Sequence, residues 1–175
     1  MKMFVFPGIL LAGLTMVASA TPGVTSRSDS GSTVTLEPGE CHPRDPELRP
    51  RVCNTGETPI TVRLDSRGRI TNIDLGGPIG PRNPGVTVTG DNLSITITGS
   101  GNVNIQVIGN NNQITTRLGG TPGGTVTVTG NGNTVRNQRN DSSDTTFTSN
   151  GSNNTLYFGG EAGNHATGTW ATVHS

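Results

Sequence analysis

The chain is 175 residues long, carries 12 Lys+Arg against 12 Asp+Glu, and is only 29% hydrophobic and 3% aromatic, while Gly (26), Thr (27) and Asn (17) fill 70 positions. A conventional globular domain is roughly 45–50% apolar, so a thick three-dimensional core is excluded, and the abundance of poor helix formers excludes a helical protein. The balanced charge gives no electrostatic reason to expect nucleic acid or acidic lipid as partner.

Met1-Lys2 is a short basic start, Phe4 to Val17 is a mostly apolar run, and Ala18-Ser19-Ala20 is a small-residue cleavage site. That is the pattern of a secretory signal peptide over 1–20. The run is too short for a transmembrane helix and is interrupted by Pro7 and Gly8, so no membrane span is expected. No lipid-anchor signal is expected at either end. The sequence predicts a secreted, extracellular chain starting near Thr21. Its loss of Lys2, the only lysine, excludes a lysine nucleophile, a Schiff base and a P-loop lysine.

Residues 21–58 are Ser, Pro, Gly and charge, with one β-like run at Thr33-Val34-Thr35-Leu36. They read as a disordered linker plus a disulfide loop. Cys41 and Cys53 are the only cysteines, and in an oxidising compartment two cysteines most simply pair. Closing the Pro- and charge-rich loop His42–Val52 would stabilise by about 3 kcal/mol in the chain-entropy model. The alternative is a thiol site or a Cys41-His42 metal pair, for which the sequence offers no second ligand cluster. Seven of the 11 arginines lie between Arg44 and Arg82, interleaved with acids, which suits a solvated face.

Alternation begins near Pro59. Ile60, Val62 and Leu64 alternate with Thr61, Arg63 and Asp65; Ser66-Arg67-Gly68 is a turn, and Ile70 to Leu75 is a second apolar run. A half-buried hairpin is predicted, followed by a Gly/Pro connector over Gly76–Pro84.

From Val86 the chain repeats itself. Val86-Thr87-Val88-Thr89 ends in Gly90-Asp91-Asn92, and Leu93 to Thr98 ends in Gly99-Ser100-Gly101-Asn102. Val103 to Ile108 ends in Gly109-Asn110-Asn111-Asn112, so Asn recurs at 92, 102 and 112. The unit returns at Thr125–Asn133 and more faintly at Asn150–Gly159. Fixed-period self-similarity signals a stacked architecture. A strand of about six residues points alternate side chains inward, and Gly and Asn tolerate the positive φ of a sharp corner. Two halves of about ten residues make one turn of a flattened all-β solenoid over 59–160, with 161–175 as a C-terminal strand or cap. The predicted inward stripe is Val86, Val88, Leu93, Ile95, Ile97, Val103, Ile105, Val107, Ile114, Val126, Val128, Leu156 and Phe158, with Thr and Asn stacked outward. A β-sandwich is the competing architecture.

The Gly-x-x-Asn corner followed by alternating apolar residues, as in Gly99-Ser100-Gly101-Asn102-Val103-Asn104-Ile105-Gln106-Val107, resembles the repeats of curlin-type secreted amyloid subunits. It is also similar to short Gly/Asn β-repeats of secreted bacterial proteins. The resemblance covers residues 85–160 and implies a self-stacking β-protein. The regular Gln ladder of curlin repeats is absent: Gln106 and Gln113 stand at inequivalent places.

Sites of chemistry are sparse. His42, His165 and His174 are far apart in sequence and read as solvated histidines. Asp65 and Asp74 on neighbouring predicted strands are the best carboxylate pair, as a glycosidase would need, but outward alternation with Arg63 makes cross-strand charge pairing the simpler account. Gly99-Ser100-Gly101 is a corner rather than a nucleophile elbow, and Asp91 is the only Asp in a repeat corner, short of a calcium repeat. Trp170 could stack on a sugar, but a lone Trp more often closes the end of a β stack. No cofactor, metal or catalytic residue is assigned. Asn92, Asn140, Asn150 and Asn153 begin glycosylation sequons, relevant only in a glycosylating host. Thr87/Thr89, Thr96/Thr98 and Thr127/Thr129 are outward Thr-x-Thr pairs of the sort that hold ordered water on ice-binding solenoids, but the array breaks at Asn104/Gln106/Ile108, and Thr is also simply a good strand residue.

The function expected from the sequence is that of a non-enzymatic structural or surface-interaction protein: a matrix, coat or adhesin-like module whose partner is itself, end to end, or a surface or host component. The alternatives are a microbial effector or ligand-binding protein and, behind it, a carbohydrate-active enzyme or an ice-binding protein. Intact-mass measurement of the secreted protein, with and without reductant, is expected to give an N-terminus near Thr21 and one disulfide. An uncleaved Met1 or two free thiols would contradict this.

Overall fold

The computed structural model describes residues 24–28, 31–77, 82–120, 123–138, 144–157 and 163–175. The expected signal segment 1–20 and its processing site lie outside the described residues, as does Phe158. Fourteen strands and no helix occur among the described residues. They are β1 (Val24–Ser28), β2 (Gly31–Leu36), β3 (Cys41–His42), β4 (Arg51–Asn54), β5 (Ile60–Leu64), β6 (Ile70–Asp74) and β7 (Gly85–Thr89), then β8 (Ser94–Ser100), β9 (Asn104–Ile108), β10 (Gln113–Gly119), β11 (Thr125–Thr129), β12 (Thr134–Asn137), β13 (Thr146–Tyr157) and β14 (His165–His174).

From β7 onward the chain coils as a β-solenoid. Gly85 pairs with Asn104, Asn104 with Thr125, Thr125 with Thr146 and Thr146 with His165, all in parallel ladders, so successive turns take 19, 21, 21 and 19 residues. Each turn contributes one strand to each of two sheets. Face 1 stacks β4, β7, β9, β11 and the first halves of β13 and β14. Face 2 stacks β1, β2, β5, β6, β8, β10, β12 and the second halves of β13 and β14. Parallel coiling at this spacing excludes the sandwich, whose strands would run antiparallel within each sheet.

The core is the thin seam between the faces. Val86, Ile105, Val126 and Phe147 form one inward column, and Ile95, Ile114, Val135 and Leu156 face it from the other sheet. All eight are buried. The described members of the predicted stripe are buried as expected except Leu93, which is half-buried at the corner. Val135, Phe147 and Leu118 also belong to the core. The seam changes character along the axis. Ile97 is followed in register by Thr116 and Asn137, and Val88, Val107 and Val128 are followed by Ser149. These polar members are buried too, with the Thr116 hydroxyl donating to Asn137 Oδ1 at 3.2 Å.

The reading of 21–58 as a disordered linker is corrected by β2, β3 and β4, which close the N-terminal end of the coil. In β2, Val34 and Leu36 lie opposite Val62 and Ile60 of β5, and Val52 of β4 lies opposite Val88 of β7. All are buried. The composition hid these strands because their apolar residues are few and are spent on one face of an already formed sheet. Buried Asn54 ties the two sheets together: its Nδ2 donates to Leu36 O at 2.9 Å and Thr58 O at 2.8 Å, and its Oδ1 accepts from Gly56 N at 3.0 Å. Cys41 and Cys53, in register across β3 and β4, form the expected disulfide. The predicted hairpin is β5–β6, turning at Gly68.

Ile95 is 2% exposed and in register with Ile114, whereas its neighbour Thr96 points outward. Ile95→Asp places an unpaired carboxylate in a seam one side chain thick and is expected to cost about 3–5 kcal/mol, comparable to the whole stability of a small domain. Thr96→Asp is expected to cost about 0.5 kcal/mol. Thermal melts compare the two; equal losses would contradict the strand register.

Candidate functional site

The corner between face 1 and face 2 is the most ordered chemical feature of the fold. It recurs as Gly90-Asp91-Asn92-Leu93, Gly109-Asn110-Asn111-Asn112, Gly130-Asn131-Gly132-Asn133 and Gly151-Ser152-Asn153-Asn154. The first position must be glycine, because a Cβ on Gly130 would overlap the carbonyl oxygen of Gly109 one turn earlier. The third position is left-handed in every copy: φ is 56° at Asn92, 55° at Asn111, 67° at Gly132 and 57° at Asn153. Only Gly and Asn adopt it at low cost.

The fourth position builds a buried ladder. Leu93 N–H donates to Asn112 Oδ1 at 2.9 Å, Asn112 N–H to Asn133 Oδ1 at 2.9 Å and Asn133 N–H to Asn154 Oδ1 at 2.8 Å. In return, Nδ2 of Asn112, Asn133 and Asn154 donates to the carbonyls of Gly90, Gly109 and Gly130 at 2.9, 2.9 and 2.8 Å. An exposed ladder of opposite polarity runs along the second position: Asn110 N–H donates to Asp91 Oδ1 at 2.6 Å, Asn131 N–H to Asn110 Oδ1 at 2.9 Å and Ser152 N–H to Asn131 Oδ1 at 2.9 Å. The expected outward Asn stack is this exposed ladder; the sequence reading missed the second, buried ladder at the fourth position. The ten-residue Asn spacing mixed different positions, since Asn102 sits at the opposite corner beside Gly101 (φ 82°). A search for Gly-x-x-Asn at a spacing of 21 would have found the ladder.

The corners hold two unlike outer faces in register. On face 1, Thr87, Gln106, Thr127, Thr148 and Thr167 form one column. It is flanked by Thr89, Ile108, Thr129 and Asn150 on one side and by Asn104, Thr125, Thr146 and His165 on the other. Among the described residues, no outward strand residue of this face between Arg51 and His165 is ionisable. A shallow depression of about 290 Å³ lies beside Thr87, Gln106 and Thr127. Face 2 carries charge and rings. Its Arg136 guanidinium lies 4.5 Å over the Tyr157 ring, and His174 stacks on that ring at 4.5 Å and 9°. Arg117 donates to Gln138 Oε1 at 3.1 and 3.3 Å. A groove of about 500 Å³ runs between Asp74 and Arg117 over Gly76, Gly77 and Gly99.

The remaining sequence candidates are dispersed. Asn92 and Asn153 occupy exposed left-handed corner positions, Asn150 is exposed at the end of a face 1 column, and Asn140 lies outside the described residues. His42 is on β3, while His165 and His174 lie at opposite ends of β14 on different faces. The cross-strand pairing of Asp65 and Asp74 with Arg63 is corrected by the register, which sets Arg63 opposite Asn72. Asp65 instead caps its own turn, where the backbone N–H of Arg69 holds its carboxyl below the ordinary carboxylate value, against an opposing effect of desolvation. The Arg69 guanidinium at 2.7 Å and the Arg67 N–H assist. Asp74 accepts from Gly76 N at 2.9 Å. Asp91 begins the exposed ladder. Trp170 is half-buried against the core, its Nε1 donating to Phe147 O at 3.2 Å.

No family model, curated protein or solved structure matches the chain. Among the described residues, no helix is long and apolar enough to cross a membrane.

Asn133 is buried and serves both adjoining turns. Asn133→Ala leaves Asn112 N–H and Gly109 O without partners and is expected to cost about 2–4 kcal/mol. Asn131→Ala, on the solvated ladder, is expected to cost less than about 1 kcal/mol. Urea unfolding of both variants checks the difference.

Proposed function

We propose that this chain is a non-enzymatic surface-interaction protein that presents face 1 to an extended, ordered and uncharged polar surface. The observation that carries this reading is the threonine array. Adjacent strands lie about 4.7–4.9 Å apart, and alternate residues along a strand recur at about 6.6 Å, so the Thr-x-Thr-x-Thr of β11 and the Thr-x-Thr pairs of β7 and β13 form a two-dimensional array of hydroxyl and methyl groups, interrupted at β9 by Asn104, Gln106 and Ile108. β-Branched threonine is stiff at χ1, and the ladders beneath hold its backbone, so the face loses little entropy on docking. The outward positions from β7 to the first half of β13 carry neither charge nor ring, which suits a neutral lattice better than nucleic acid or acidic lipid. The Cys41–Cys53 disulfide is consistent with extracellular use.

A second reading, as a ligand-binding protein, draws on the face 2 groove between Asp74 and Arg117. The two readings place the active surface on opposite sheets.

The test is retention of the purified protein on a panel of insoluble neutral surfaces comprising crystalline cellulose, chitin and ice. Thr127→Lys, at the centre of the array, is expected to reduce retention by about tenfold or more with a shift of about 0.5 kcal/mol in stability. Thr96→Lys on face 2 is expected to leave retention unchanged. Retention insensitive to Thr127→Lys, or absent from every surface, would reject the reading, and loss confined to Arg117→Ala would favour the groove.

A further inference from the structure

The two ends of the solenoid are built differently. At the N-terminal end, face 2 stops at β1, which contains Arg27 and whose register with β2 shifts between Val24 and Arg27; face 1 stops at β3, only two residues long, and the loop after it carries Pro43, Pro46 and Pro50 among Arg44, Asp45, Glu47 and Arg49. Short edges, prolines and charges are the usual guards against strand addition. At the other end β14 is ten residues long and contains no proline and no Lys, Arg, Asp or Glu. Every residue of it is exposed except half-buried Trp170. Among the described residues it pairs only with β13. Its inward positions are Ala166 and Val173, in register with buried Phe147 and Leu156, and Val173 is 44% exposed. Among the described residues, the last turn therefore ends in two unguarded strand edges with an apolar strip between them.

We propose that this end is a docking surface for a second copy of the chain, joined about a two-fold axis normal to the solenoid axis. The halves of β14 belong to different sheets, so their edges stand about 10 Å apart and point the same way. A single extended peptide satisfies only one of them. A partner must offer two unpaired strands at the same separation, and the last turn of another copy does so by construction. The two-fold rotation reverses strand direction, so the junction is an antiparallel ladder in both sheets and the contact is isologous. It covers Ala166 and Val173 of both copies. Assembly stops at two, because the guarded ends then face outward. This differs from end-to-end fibre growth, which needs a guarded end to accept an open one, and it does not depend on the threonine-face reading.

Sedimentation velocity of the purified full chain across a concentration series is the test. The wild type is expected to pass from monomer to dimer without larger species, and amide exchange in β14 is expected to slow as the dimer forms. Val173→Lys is expected to weaken association by about a hundredfold, whereas Thr127→Lys leaves it unchanged. A monomer at all concentrations, growth beyond the dimer, or a dimer indifferent to Val173→Lys would each overturn the proposal. Should Val173→Lys fail to fold, a β14 whose exchange does not change with concentration in the wild type would overturn it equally.

Discussion

A chain that turns sharply every ten residues must bury backbone N–H and C=O groups at its corners, and an unpaired buried group costs about 1–3 kcal/mol. The Asn112, Asn133 and Asn154 side chains satisfy them from one turn to the next. A carboxamide is suited to this because it accepts at one atom and donates at the other, so one residue repairs both halves of the peptide unit it faces. Each asparagine serves the turn before its own. The ladder therefore needs neighbours, and its ends need other residues: Leu93 opens the column and Trp170, in register with Asn154, closes it.

The same constraint explains how so little apolar surface holds a fold. With the corners saturated, two sheets need only a seam between them. Burial at about 25 cal/mol per Å² weakens toward the C-terminus, where Thr116, Asn137 and Ser149 replace aliphatic residues in their columns. There the seam is held increasingly by hydrogen bonds such as Asn154 Nδ2 to Ser149 Oγ at 2.9 Å. In a stack whose stability is a sum over nearest neighbours, this gradient makes the N-terminal turns and their cap the stable end. The last turns are the ones that gain most from a partner.

Registration by the ladder also separates structure from display. Outward residues contribute little to the seam, so face 1 is free to be a largely uncharged, threonine-rich face while face 2 collects Asp74, Arg117, Arg136, Tyr157 and His174. The proposed activities divide accordingly: one sheet meets a surface, and the open end meets another copy.

Length, composition and alternation by themselves determined that this protein is all-β with a narrow aliphatic stripe, because period-2 patterning between Gly/Asn corners states which side of a strand is buried without reference to any partner strand; the repeats favoured a solenoid, but its parallel ladders were what excluded a sandwich. The disulfide was equally legible, there being only two cysteines to pair. What only the tertiary structure decided depends on which residues meet across turns. Asn112 and Asn102 look alike in sequence, yet one is buried in the ladder and the other is exposed at the opposite corner. Thr116 and Ser149 read as polar surface residues until register stacks them beneath Ile97 and Val128. The strands within 21–58 became visible only once the first turn supplied an edge to pair with, because a hydrogen-bonded cap is specified by the sheet it completes.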